Sequence, residues 1–352
     1  MNFAEEIINW YQLHKRDLPW RNTDDPYIIW LSEIIMQQTR VEQGTPYFNR
    51  FAEKYPTVKQ FANATEEEIL KLWQGLGYYS RGRNMHHTAK IVMEEHAGYF
   101  PSRYDDLIKL KGVGEYTAAA ISSFSSNEAK AVVDGNVFRL LSRYFGIDTP
   151  INSGKGKKLF TELANELLDK SQAGEFNQAI MEFGALQCKP KNPDCLACPL
   201  QVDCEAKRTN RIQELPVKNK LQKSRERFFN YIFVLKENQI LLNKRGPGDI
   251  WENLYDFPLF ESKSLCSAHD LTQSEDFIKC FGTQVHIKSI SKPIKHILSH
   301  QKLHTNFISI ENFSEDFLTT KNWFYVSEND LDRFAQPKLI FHFLENFRTL
   351  NE

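Results

Sequence analysis

Across residues 1–215 apolar positions recur at helical spacing, and no alternating run interrupts them. Ile28, Leu31, Ile34 and Ile35, flanked by Trp30 and Met36, predict a largely buried helix over Ile28 to Gln38, entered after Pro26. Thr65 followed by Glu68 is a capping-box signal for a helix over Glu66 to Gln74. Further helices are predicted over Arg83 to Glu95, Tyr104 to Lys109, Tyr116 to Ser125, Val137 to Phe145, Lys157 to Leu168 and Glu175 to Leu186. The pattern then changes. Phe228 to Leu235, Gln239 to Asn243, Phe307 to Ile310 and Trp323 to Val326 read as strands, so a mixed α/β domain over 228–350 is predicted after the all-α domain over 1–215.

With 352 residues the chain is long enough for two domains, and 41% hydrophobic with 25% charged residues is globular composition. No apolar run reaches the roughly 18 residues of a bilayer span, and the first twenty residues lack a cationic start with an apolar stretch behind it. A cytoplasmic protein is the expectation. A formal charge of -1 does not by itself announce a nucleic-acid binder. The charge is uneven, however: from Lys207 to Arg227 eight basic residues, Lys223 among them, face only Glu214 and Glu226. This run, which includes the 216–227 link between the domains, is a solvated linker or a phosphate-facing strap.

Cys188, Cys195, Cys198 and Cys204 fall within 17 residues, spaced C-x6-C-x2-C-x5-C. A cytosolic chain has little use for disulfides, so the run reads first as a metal site. One short knuckle with a single cysteine on each side favours a four-iron, four-sulfur (4Fe-4S) cluster over zinc, with free thiols as the third alternative. Its expected role is structural, closing the 188–204 loop so that basic side chains around it hold defined positions. Cys266 and Cys280 read as isolated thiols.

Lys111-Gly112-Val113-Gly114 sits between two predicted helices, Tyr104 to Lys109 and Tyr116 to Ser125. Two glycines permit a tight turn, and the free N–H groups of the helix that follows make a phosphate site, so a helix-hairpin-helix is predicted at about 104–125. A turn serving only packing is the alternative. Twenty residues after Gly114 comes Val133-Asp134-Gly135-Asn136, where Asp134 or Asn136 either caps the next helix or offers an acid to a cleft. Glu33, among Trp30, Ile34 and Ile35, is either a surface acid at the edge of an apolar stripe or an acid with a raised pKa.

Together the segment Trp30 to Val41, the hairpin Leu110 to Ala118, the loop Val133 to Val137 and the four cysteines resemble the A/G-specific adenine DNA glycosylase family, within the wider helix-hairpin-helix glycosylase superfamily. The resemblance spans essentially the whole chain. It implies a bilobed all-α core carrying the iron-sulfur loop, and double-stranded DNA with an adenine mispair as partner; no repeat or coiled-coil face in the sequence suggests an oligomer, so a monomer is the default expectation. By position Glu33 matches the acid that protonates adenine N7, and Asp134 the carboxylate facing the sugar. Tyr116 matches the tyrosine beside the sugar, Asn136 a polar residue near it, and Glu182 a polar contact to the flipped adenine. Gln38 and Tyr78 match residues that wedge into the duplex, and Gly112 and Gly114 the phosphate-binding turn.

The chemistry requires these residue types. Adenine leaves readily only when a ring nitrogen is protonated, and an apolar surround keeps an acid protonated near neutrality. The cationic sugar left behind is stabilised by a nearby carboxylate. In the lyases of this superfamily a lysine occupies the position of Tyr116, so the resemblance implies a reaction that stops at the abasic site.

The last domain resembles a Nudix-like domain used to recognise 8-oxoguanine opposite adenine. The G-x5-E-x7-R-E-x2-E-E hydrolase signature is absent, so binding and not hydrolysis is expected. Leu298-Ser299-His300 matches the lesion-contacting loop, which makes Ser299 and His300 candidate sensors; a polar turn between strands is the alternative. Trp251 to Pro258 corresponds to a glycine-rich segment, with Glu252 and Asn253 in place of glycines. A thymine or uracil glycosylase accounts for the hairpin and cysteines but not for Glu33 with a Nudix-like tail. A catalytically silent DNA-binding module leaves both acids unexplained.

Overall fold

The computed structural model describes residues 2–220 and 224–351. Lys223 of the basic run, within the 216–227 link, lies outside the described residues. The chain divides into two compact units, Met1–Ala64 with Asn84–Leu221 and Thr65–Arg83 with Gln222–Glu352.

Among the described residues the first unit contains helices and no strand. Its central helix runs over Pro26–Met36, with Pro26 in the first turn and the Asp25 carboxylate accepting from the Tyr27 N–H at 2.8 Å. Trp30, Leu31, Ile34 and Ile35 are buried, and Trp30 stands 5.8 Å from Phe61 and 4.9 Å from Phe100, ring centre to ring centre. The helix ends two residues earlier than the periodicity predicts, because Gln38 takes a left-handed φ of 56°. A second core joins Val137, Leu140 and Leu141 of the Gly135–Phe145 helix to Phe176, Ile180 and Phe183 of the Ala173–Leu186 helix. The Phe3–His14 helix, unmarked in the periodic reading, closes that core with Phe3, Ile7 and Trp10. A Cβ on Gly184 would stand 2.7 Å from Asn136 Cβ, so this glycine lets the Ala173–Leu186 helix approach the acidic loop closely.

The second unit holds the strands: β1 (Arg225–Phe233), β2 (Leu235–Lys236), β3 (Gln239–Lys244), β4 (Tyr255–Asp256), β5 (Leu259–Ser262), β6 (His286–Ile290), β7 (Ile294–Ile297), β8 (Gln301–Glu311) and β9 (Trp323–Ser327). One sheet has the order β5-β1-β8-β6, with β7 also on β8; the other is β2-β3-β4, with β9 on β3. β1 and β8 pair in parallel, Phe229 opposite Thr305. Alternation along β1 sends Phe229, Tyr231 and Phe233 towards Leu339 and Ile340 of the Lys338–Asn351 helix, and Ile232 towards Phe277 and Phe281 of the Glu275–Phe281 helix. The sheet is thereby covered on both faces. The expected α/β domain is present, with β4, β5, β6 and β7 added; β6 and β7 are largely exposed and carry little alternation. Thr65 and Glu68 form the expected capping box on the Glu66–Trp73 helix, which belongs to this unit.

The iron-sulfur loop is the expectation that fails. Among the described residues no group of three or more His, Cys, Asp or Glu side chains is placed to hold a metal ion, and all six cysteines are free. Cys188, Cys195, Cys198 and Cys204 border one small cavity without forming a ligand set, so the iron-sulfur, 4Fe-4S and metal-binding assignments are withdrawn. Burial pushes the Cys198 thiol up to about 12, and raises Cys195 and Cys204 as well, which disfavours thiolates. The loop is tied instead by two guanidinium groups of the Gly135–Phe145 helix. Arg139 Nε donates to the Cys188 carbonyl at 2.8 Å, and Arg143 donates to the Lys189 carbonyl at 2.7 Å and to Cys188 Sγ at 3.5 Å. Residue spacing along the chain measured proximity in sequence and not ligand geometry. No helix among the described residues is long and apolar enough to cross a membrane.

Candidate active site

In the first unit Glu33, Gln38, Gly114, Tyr116 and Asp134 line one and the same open cleft, with Lys130 and Lys157 on its walls. Glu33 projects from the Pro26–Met36 helix and is only 9% exposed. The Tyr116 hydroxyl donates to its carboxyl at 2.8 Å. Burial pushes Glu33 up to about 7, the Tyr116 bond pulls it partly back, and the nearby Asp134 charge raises it.

Asp134 is the N-cap of the Gly135–Phe145 helix. One carboxylate oxygen accepts from the N–H groups of Asn136 and Val137, both at 2.8 Å, and the other accepts from the Asn136 side-chain amide at 2.7 Å. Burial raises its pKa against the pull of these bonds. Asp134 takes three N–H donors where Glu33 has one hydroxyl, so the negative charge of the pair belongs on Asp134 and the proton on Glu33. Asn136 is held in turn by Arg139, which donates to its side-chain oxygen at 2.8 Å. Capping and cleft-facing were alternatives for Asp134 in the sequence; this residue does both.

The hairpin precedes that wall. Gly112 has φ 81°, and a Cβ there would meet Asn84 Cβ at 3.0 Å. Thr88 donates to the Lys111 carbonyl at 2.8 Å, fixing the turn. Gly114 caps the Glu115–Ser126 helix without a side chain, with open space where a Cβ would stand. The first N–H groups of that helix lack a capping side chain at Gly114, the arrangement that suits a phosphate.

Residues 31–168 match the HhH-GPD superfamily of base excision DNA repair proteins, and residues 230–346 match the NUDIX domain family. The adenine DNA glycosylase of Buchnera aphidicola subsp. Schizaphis graminum is 34% identical over 98% of this chain and 99% of its own. The chain belongs to the adenine DNA glycosylase family. The Homo sapiens adenine DNA glycosylase is 41% identical over 58% of this chain and 39% of its own length. Among solved structures, a thermostable thymine-DNA glycosylase matches with 29% identity and a TM-score of 0.55, over 59% of this chain and 95% of that one.

Other predicted site residues of this adenine DNA glycosylase family member are placed differently. Glu182 does not line the cleft; it is 1% exposed and clamped by Arg16 and Arg21, whose guanidinium groups reach it at 2.7 and 2.8 Å. Burial pushes Glu182 up, and the Arg16 and Arg21 bonds overcome this to hold it down to about 2. Arg16 and Arg21 escaped the sequence reading, because their shared partner Glu182 lies 166 and 161 residues away. Tyr78, Ser299 and His300 belong to the second unit. Ser299 and His300 form the exposed turn between β7 and β8, and the Tyr78 hydroxyl meets that of Ser299. The structure also puts Trp251 and Asn253 at left-handed φ values of 62° and 63°, in the segment where the resemblance implied glycines.

Proposed function

We propose that the protein hydrolyses the N-glycosidic bond of adenine mispaired with 8-oxoguanine or guanine in duplex DNA, and stops at the abasic site. The observation that carries this reading is Glu33: a buried acid that keeps a proton near neutrality, bonded to Tyr116, in one cleft with Asp134. The flipped adenine takes the Glu33 proton at N7, the bond from the sugar carbon to N9 breaks, and the electron pair leaves with neutral adenine. Asp134, carrying the charge, stabilises the cationic sugar until water adds to it and passes a proton to the Glu33 carboxylate, which restores the starting acid. Tyr116 and Asn136 position the two acids. Gly112 and Gly114 bind a phosphate, and Gln38 wedges the duplex.

Tyr116 stands where the superfamily's lyases carry an amine, so no Schiff base forms through that position. In the second unit Tyr78, Ser299 and His300 read the oxidised guanine, while Glu182 holds Arg16 and Arg21 in place. The protein acts as a monomer.

Release of free base from duplexes with A opposite 8-oxoguanine, A opposite guanine and T opposite guanine tests the reading. Adenine release from the first two, with strands intact until alkali is added, is the expected result. Preferred thymine release, or strand breaks as fast as base release, would overturn it.

A further inference from the structure

Within the second unit, Thr65–Arg83 is bound to the strands by a set of polar bonds. One oxygen of Glu67 accepts from Lys244 of β3 at 2.9 Å and from the Tyr255 hydroxyl of β4 at 2.7 Å. Beside it Glu66 accepts from Asn253 at 2.6 Å, and Arg83 at the far end donates to the Glu252 carbonyl at 2.8 Å. The ammonium of Lys244 also lies over the Tyr255 ring, 5.4 Å from its centre, so Glu67, Lys244 and Tyr255 form one cluster.

Between these anchors the backbone turns through Gly75, Gly77 and Tyr78 at φ values of 100°, 75° and 47°. No regular element fixes such a run, and Tyr78 is 45% exposed. Yet its hydroxyl meets Ser299, 221 residues away in sequence. The run is held locally by Trp73 and Arg81, which donate to the Gly77 carbonyl at 2.9 and 3.2 Å, and is placed against Ser299 by the bonds that tie the two pieces of the unit together, Tyr79 to the Gln336 carbonyl at 3.1 Å and those of Glu66, Glu67 and Arg83.

We propose that Glu67 is a specificity-positioning residue: by fixing Thr65–Arg83 to β3 and β4, it sets Tyr78 against Ser299 so that both read the base opposite adenine at once. This rests on the proposed adenine-glycosylase reading. Glu67 touches no reacting atom and acts only through where Tyr78 stands.

The readout is the ratio of single-turnover adenine release from A opposite 8-oxoguanine to that from A opposite guanine, in the full chain. The pair is partly exposed, so E67K and K244E should each lower that ratio by about three- to fivefold. The double reversal E67K/K244E should recover most of the loss. Y255F, which removes one bond without moving charge, should lower the ratio less and keeps the test usable if a reversal fails to fold. An unchanged ratio in folded E67K, equal losses on both duplexes, or a double variant no better than the singles overturns the proposal. Absence of adenine release by the unaltered protein from either duplex would instead defeat the adenine-glycosylase reading itself.

Discussion

Glu33→Gln should stabilise the fold at alkaline pH while leaving little trace at acidic pH. Burial lifts the Glu33 carboxyl from 4.5 to about 7, so the folded state holds this proton more tightly than the unfolded chain does. Stability from that tighter binding is fully present below about 4.5 and is lost as pH rises through the folded value of about 7. A shift of roughly 2.5 units at 1.36 kcal/mol per unit makes the full loss about 3 kcal/mol. Glutamine is near in shape, still accepts the Tyr116 hydroxyl and carries no charge, so the variant escapes this loss. Urea unfolding of both proteins at about pH 5 and pH 8.5, fitted for the transition of the first unit, should show the stability gap widening in favour of the variant by about 2–3 kcal/mol. A gap that stays constant, or widens towards acid, would show that Glu33 is not held protonated by burial.

Three further outcomes are expected. Tyr116→Phe removes a bond that pulls the Glu33 pKa down, so the alkaline fall of the pH–rate profile should move to higher pH; a move to lower pH contradicts the assignment. Asp134→Asn keeps a good N-cap but loses the charge, so base release should drop by about 100-fold or more while thermal melting changes little. Glu182→Ala leaves Arg16 and the more enclosed Arg21 without their shared carboxylate and should cost about 3 kcal/mol in denaturant unfolding, a loss below about 1 kcal/mol arguing against the clamp.

What the sequence displayed well was local. The Thr65 to Glu68 capping box, the Pro26 helix entry and the strand-like run Phe228 to Leu235 depend on neighbours a few residues apart, and each appears in the structure. The sequence also marked Glu33 and Asp134, but not what distinguishes them, since the donors counted at each carboxyl belong to the folded chain. Long-range partners were invisible. Nothing near Glu182 announces Arg16, and nothing near Glu67 announces Lys244, because such pairs form only when distant helices and strands pack. The cysteine run shows the converse error: tight grouping within 17 residues suggests a metal cluster, whereas three-dimensional placement decides whether thiols become ligands, and here Arg139 and Arg143 tie the loop.

The claim that Glu33 supplies the proton is tested most directly by single-turnover adenine release from a duplex with A opposite 8-oxoguanine, at about pH 7 and with protein saturating the DNA. Glu33→Gln should bind that duplex as tightly as the unaltered protein and release adenine about 100- to 10,000-fold more slowly. Release at an undiminished rate with the same saturation would remove Glu33 from the chemistry.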